Sequence, residues 1–257
     1  MNDVLKVFAE LFGTDDSVSL DYHGDADEIS EFMNYTGNGI CQGEDNPDAY
    51  FIWNDSLLII EHFKIDCSKR RTRKGSSSLE DEARTDREYM KMVDDPNQNT
   101  YCGRITAPTS YSYFINNAIE TLSAHYKKID TYISNVKKQE NVQEFNKIRV
   151  CFVIEDASII PPTVLRDGEM IGIVLTYCEE FLIYFKECRK LDWVLYLPSY
   201  YKQKITEPKG FFCSQKYIDE YLGHTEPYKN MRFVSWQPYV VGGKITYRIS
   251  NSKEEKE

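Results

Sequence analysis

The chain has no Cys-x-x-Cys pair and no clustering of histidine with cysteine; its seven cysteines stand singly at positions 41, 67, 102, 151, 178, 188 and 213. That spacing gives no support to a zinc framework. An odd count, with Cys151 inside VCFVIE and Cys178 and Cys188 in a helical stretch, reads as buried thiols in a reducing compartment. Long uncharged apolar runs are missing too, so no membrane span is expected. The opening MNDVLKVFAELFG carries acids and no small-residue cleavage site, unlike a secretion signal, and the expected location is cytoplasmic. Positive charge is in deficit: 31 Lys and Arg against 41 Asp and Glu leave a net charge of −10. Such a molecule repels polyanions at long range, which argues against nonspecific coating of DNA.

What is present is ordinary folded-protein material. With 257 residues, 41% hydrophobic and 28% charged, the chain is long enough to bury a substantial core. It is read as a single domain over 1–257, with 198–249 a C-terminal elaboration and SNSKEEKE at 250–257 a frayed tail. Apolar spacing predicts a short helix over 3–12 and a second from near Asp25 through Ile29, Phe32 and Met33. Strands are predicted over 49–53 and 57–65, joined by the hairpin residues Asn54-Asp55-Ser56. A polar segment over 67–110 holds one helix near 78–93, and a long helix over 111–138 carries the stripe Ile115, Ile119, Leu122, Tyr126, Ile129, Ile133 and Val136. Apolar strands around 149–154 and 193–197 flank a helix over 176–190, a βαβ pattern that implies parallel pairing. The fold class is therefore α/β, a mixed central sheet flanked by helices.

Residues 47–66, PDAYFIWNDSLLIIEHFKID, concentrate the chemistry. LLII is apolar on both faces, as in a central strand, and a carboxylate, imidazole and ammonium leaving such a strand need partners, a metal or a solvent-filled cleft. Asp48, Glu61 and Asp66 are oxygen donors suited to Mg²⁺ or Mn²⁺. Lys64 and His62 suit charge neutralisation or proton transfer at a phosphoryl group.

The layout resembles the PD-(D/E)xK nuclease superfamily, with Pro47-Asp48 matching its first element and Glu61-His62-Phe63-Lys64 its second. The resemblance implies a restriction-endonuclease-like α/β/α core in the order helix, three strands, helix, strand; two strands are read before the long helix. It also implies that Asp48, Glu61 and Asp66 hold Mg²⁺ or Mn²⁺, that Lys64, Glu61 and His62 act on the bond, and that DNA or RNA is cut. Here the acid precedes the lysine by three residues instead of two. Strand parity puts Glu61 and Lys64 on opposite faces, with His62, Lys64 and Asp66 sharing one. Either a bulge re-aims Glu61, or His62 takes the acid's place, or the site is degenerate. In the last case the chain is a noncatalytic interaction or nucleic-acid-binding protein on the same fold, with a protein partner or a second copy.

Further candidates surround this core. The basic run Lys69, Arg70, Arg71, Arg73 and Lys74 reads either as a nucleic-acid backbone contact or as a solvated charge run. Glu10, Glu28 or Glu31 stands where the family often recruits a helix acid, Glu155-Asp156 ends a strand, and 198–249 interleaves tyrosines with lysines. His125, beside the long helical stripe, reads as a partly exposed helix residue.

Overall fold

The computed structural model describes residues 20–22, 26–43, 46–70, 84, 87, 102–104, 108–158, 161–199, 210–234, 236–241 and 244–249. The helix expected over 3–12 with Glu10, most of that over 78–93, the Gly242-Gly243 turn and the tail over 250–257 lie outside the described residues. In chain order the elements are β1 (Leu20–Tyr22), α1 (Ala26–Asn38), β2 (Ile40–Gly43), β3 (Ala49–Trp53), β4 (Ser56–Ile65) and β5 (Cys102–Arg104). Next come α2 (Tyr111–Tyr126), α3 (Ile129–Gln139), β6 (Lys147–Asp156), β7 (Thr163–Arg166), β8 (Glu169–Gly172) and α4 (Glu179–Glu187). The chain continues with β9 (Trp193–Leu197), β10 (Gly210–Ser214), α5 (Ile218–Leu222), β11 (Arg232–Phe233), β12 (Trp236–Val241) and β13 (Lys244–Ile249). No helix of the described residues is long and apolar enough to cross a membrane.

The chain forms two compact units, the first from 1–64, 118–157 and 174–227, the second from 65–117, 158–173 and 228–257. The first is built on a mixed seven-stranded sheet in the order β1-β10-β9-β6-β4-β3-β2. β2, β3 and β4 form an antiparallel meander. β2 is the meander strand absent from the sequence reading: IleCysGlnGly is short and carries one strong β-former. Gly39 sets the corner before it, donating its N–H to Tyr35 O at 2.9 Å, and a Cβ there would lie 2.4 Å from that carbonyl oxygen. The β3–β4 turn is Asn54-Asp55, both at positive φ (49° and 59°), the two-residue geometry whose twist matches a hairpin.

β6 pairs in parallel with β9, and β9 antiparallel with β10. Leu57 to Ile60 are fully buried, as a central strand requires. On one face Phe32 and Tyr35 of α1 pack on Leu58, Ile60, Cys151, Val153, Trp193, Leu195 and Phe212. Phe32 meets Trp193 edge-on at 5.6 Å. The helix expected over 111–138 is two helices, interrupted at Lys127-Lys128.

Burial raises the Cys151 and Cys213 thiols, and the Cys188 thiol is pushed up to about 11 by burial and by Glu187. These thiols are poor nucleophiles at neutral pH.

The second unit holds two three-stranded sheets, β11-β7-β8 and β13-β12-β5. β7 and β8 turn through Asp167-Gly168, again both at positive φ. Asn117 Nδ2 donates to Asp66 O at 2.8 Å and Ser68 O at 2.9 Å, and the Ser68 hydroxyl to Asp66 Oδ2. The chain is pinned further by Lys69 N on Pro108 O at 2.8 Å and by Ser110 N on Cys67 O at 3.1 Å.

A candidate carboxylate site at the end of the β3–β4 hairpin

β3 and β4 stay in register up to Ala49 opposite Ile60, so the next pair outward is Asp48 with Glu61. Asp48 N donates to Glu61 Oε2 at 3.3 Å, and Asp48 Oδ2 accepts from His62 N at 2.7 Å. The second Glu61 oxygen, Oε1, accepts from His125 Nδ1 at 2.7 Å and from the Tyr132 hydroxyl at 2.8 Å. The His125 ring stacks on Phe63, with centroids 4.8 Å apart and planes at 12°. Phe63 in turn packs edge-on against Phe152. Leu58 and Ile60 belong to the α1-side core whereas Glu61 and Phe63 face α2 and α3, so the strand alternation continues through the motif.

Electrostatics mark this corner. Burial raises the Asp48 carboxyl above the ordinary range, and the Glu61 charge adds to that rise; the His62 N–H and the His62 and His125 rings oppose it. Tyr132, fully buried, is pushed far up by burial, by its hydrogen bond to Glu61 and by the charges of Glu61 and Asp48, so it stays a phenol and a donor.

His62 and Lys64 lie on the other face of β4. His62 Nε2 is 3.0 Å from Glu155 Oε2 of β6, and Lys64 Nζ is 3.8 Å from the same oxygen. The Lys64 side chain is half exposed, whereas His62 and Glu155 are nearly covered. The structure thus brings Asp48 to Glu61, and Lys64 with His62 to Glu155. Period-two alternation sends the Glu61 side chain to one face of β4 and those of His62 and Lys64 to the other, as strand parity requires. Asp66 belongs to the second unit, held by Ser68 and Asn117. In that unit Arg70 Nη2 donates to Asn117 O at 3.2 Å; Arg71, Arg73 and Lys74 lie outside the described residues.

Glu28 and Glu31 are engaged elsewhere in the first unit. Glu28 accepts from Trp193 Nε1 at 2.8 Å, and Glu31 forms a two-point pair with Arg149. Sequence reasoning missed His125 and Tyr132 as functional candidates. Their seven-residue separation on one predicted helix was the available signal, since residues so spaced share a face.

Two carboxylates beside a neutral hydroxyl suit Mg²⁺ or Mn²⁺, since Mg²⁺ is commonly held by one or two carboxylates with water completing its shell. Among the described residues no group of three or more His, Cys, Asp or Glu side chains is arranged to hold a metal ion. No known protein family, no curated protein and no solved structure matches this chain.

Proposed function

We propose that the protein is a divalent-metal-dependent nuclease acting at the Asp48–Glu61 corner, built on a core like that of the PD-(D/E)xK nucleases. One observation carries the reading: the buried Glu61 and the half-buried Asp48, carboxylates from adjoining strands, meet at one strand end, with Asp48 N 3.3 Å from Glu61 Oε2. The element order supports it, since within the first unit's sheet and its helices α1, then β2, β3 and β4, then α2 and α3, then β6 follow the helix, three strands, helix and strand that the resemblance implies, with β5 of the second unit intervening between β4 and α2. Asp48 and Glu61 would hold the ion. Bound there, Mg²⁺ or Mn²⁺ supplies charge neutralisation at a phosphoryl oxygen and acidifies a water.

The chain's own residues do the rest. Glu61 is held in one orientation by three donors, Asp48 by the His62 N–H, and the Phe63–His125 stack covers the helix side of the pair. Lys64, paired with Glu155 across the strand, serves as an ion-pair partner in this reading.

Purified protein with Mg²⁺ or Mn²⁺ is expected to cut at least one of single-stranded DNA, duplex DNA or RNA. Asp48→Ala is expected to abolish cutting and Lys64→Ala to retain it. Cutting that survives Asp48→Ala sinks the reading. A second reading has its own support: three hydrogen bonds onto Glu61 are also what a purely structural carboxylate collects. On that reading the chain is a noncatalytic interaction or nucleic-acid-binding protein, and no metal-dependent cutting is seen with any substrate.

A further inference from the structure

Two helices stop and start beside Glu61, with Lys127 and Lys128 between them. Lys127 and Lys128 are both exposed, and Lys128, the N-cap residue of α3, supplies no side-chain cap to the first turn. The apolar face nevertheless continues across the break, with Leu122 on one side and Ile129, Tyr132 and Val136 buried on the other. In an unbroken helix, positions 125 and 132 would be separated by about 10 Å along the axis. Across the break their side chains meet: His125 Nδ1 and the Tyr132 hydroxyl are 3.4 Å apart, and both reach Glu61 Oε1.

We propose that the interruption at Lys127-Lys128 is a positioning device, which delivers His125 and Tyr132 as paired donors to one oxygen of Glu61 and so leaves the other, beside Asp48, oriented toward a divalent cation. The proposal rests on the metal-site reading above and deepens it by naming the residues that aim the ligand. Its geometry is closed on every side. Oε1 is taken by the two helix donors, Oε2 lies on the Asp48 side, and the imidazole plane is fixed by stacking on Phe63. Groups that orient a metal ligand from behind are worth about 10- to 100-fold in metal affinity.

The test uses the full chain and Mn²⁺ alone, followed by calorimetry and by the paramagnetic resonance of the ion, with thermal unfolding measured in metal-free buffer. Tyr132→Phe removes one hydroxyl and keeps the buried ring. His125→Ala removes the other donor, and His125→Asn restores an N–H close to the Nδ1 position. Mn²⁺ affinity is expected to fall about 10- to 100-fold in Tyr132→Phe and His125→Ala, to recover in part in His125→Asn, and to stay unchanged in Glu155→Gln on the other face. Metal-free unfolding of Tyr132→Phe remains cooperative at a somewhat lowered midpoint, which shows that the variant is folded when its Mn²⁺ affinity is read. Wild-type affinity in both Tyr132→Phe and His125→Ala overturns the positioning role while leaving the metal site standing. If His125→Ala misfolds, Tyr132→Phe and His125→Asn decide. A wild-type chain that binds no Mn²⁺ overturns the metal-site reading and this inference together.

Discussion

Replacing Arg149 with alanine is expected to destabilise the first unit by about 2–3 kcal/mol, less than the cost of breaking a fully buried ion pair because its partners are only partly covered. Arg149 Nε and Nη2 bond the two Glu31 oxygens at 3.1 and 2.9 Å, Nη1 bonds Asp192 Oδ1 at 2.7 Å, and the guanidinium lies 5.1 Å from the centre of the Trp193 ring. Glu28 Oε1 is 3.6 Å from Nη2. One cation therefore joins α1 to β6 and to the start of β9, and its removal takes one partner from each of three carboxylates, leaving Glu31 with Lys147, Asp192 with the Val150 N–H and Glu28 with Trp193. Arg149→Lys is expected to restore only part of the loss, because an ammonium cannot form the two-point pair with Glu31.

The pH dependence has a defined sign. Burial acts to raise Glu31, but the hydrogen bonds from Arg149 and Lys147 outweigh it and hold its carboxyl below the ordinary value. A lowered carboxyl contributes stability above its unfolded value, near 4.5, and loses it as pH falls through the folded value. The Glu31 share of the Arg149→Ala deficit is thus full at neutral pH and shrinks in acid. Urea unfolding at pH 7 and pH 4 measures it; a deficit under about 1 kcal/mol at pH 7 would place Arg149 among ordinary surface pairs.

Asp48→Asn is expected to act in two opposite directions. Burial and the Glu61 charge raise the Asp48 carboxyl, so the native state favours its protonated form. For a raised carboxyl, the stability contributed by protonation is full below the unfolded value near 3.8 and is lost as pH climbs through the folded value. At neutral pH the metal-free wild type therefore carries a penalty that Asn lacks, and Asp48→Asn is expected to melt higher, the gap closing toward pH 4. Asn keeps an oxygen for the His62 N–H. Added Mn²⁺ reverses the ranking: at a hundredfold excess over its dissociation constant it stabilises the wild type by about 2.7 kcal/mol and the variant little. On the proposed function, metal-dependent cutting is expected to be lost in the same variant. Thermal melts with and without Mn²⁺ check both halves, and a variant that melts lower than wild type without metal contradicts the electrostatic account.

The part of the fold set by side-chain periodicity was legible before the structure. LLII announced a central strand, VCFVIE and WVLYL a parallel pair, and strand parity placed Glu61 and Lys64 on opposite faces. β2 escaped because four residues ending in glycine carry too little pattern to compete with the turn beside them. The break at Lys127-Lys128 escaped because the apolar stripe runs across it, and periodicity registers a face, not the continuity of the backbone.

The Asp48–Glu61 pairing was within reach: counting back from a two-residue turn at Asn54-Asp55, with Trp53 opposite Ser56, sets Asp48 opposite Glu61. Considering β4 alone, without its neighbour, hid it. Glu155 beside His62 and Lys64 required the register of β6 against β4, which no local pattern encodes. His125 and Tyr132 share a face at seven-residue spacing, but their meeting on one oxygen of Glu61 occurs across the helix break.

The central claim is that Asp48 and Glu61 form a divalent-cation site for phosphodiester hydrolysis. Its most direct test is the rate of nucleic-acid cleavage by the wild type with Mn²⁺, with Mn²⁺ plus excess chelator, and by Asp48→Asn with Mn²⁺, on one substrate and at matched protein concentration. The account predicts cleavage in the first case alone. Equal cleavage by Asp48→Asn, or no cleavage by the wild type of any DNA or RNA offered, would contradict it.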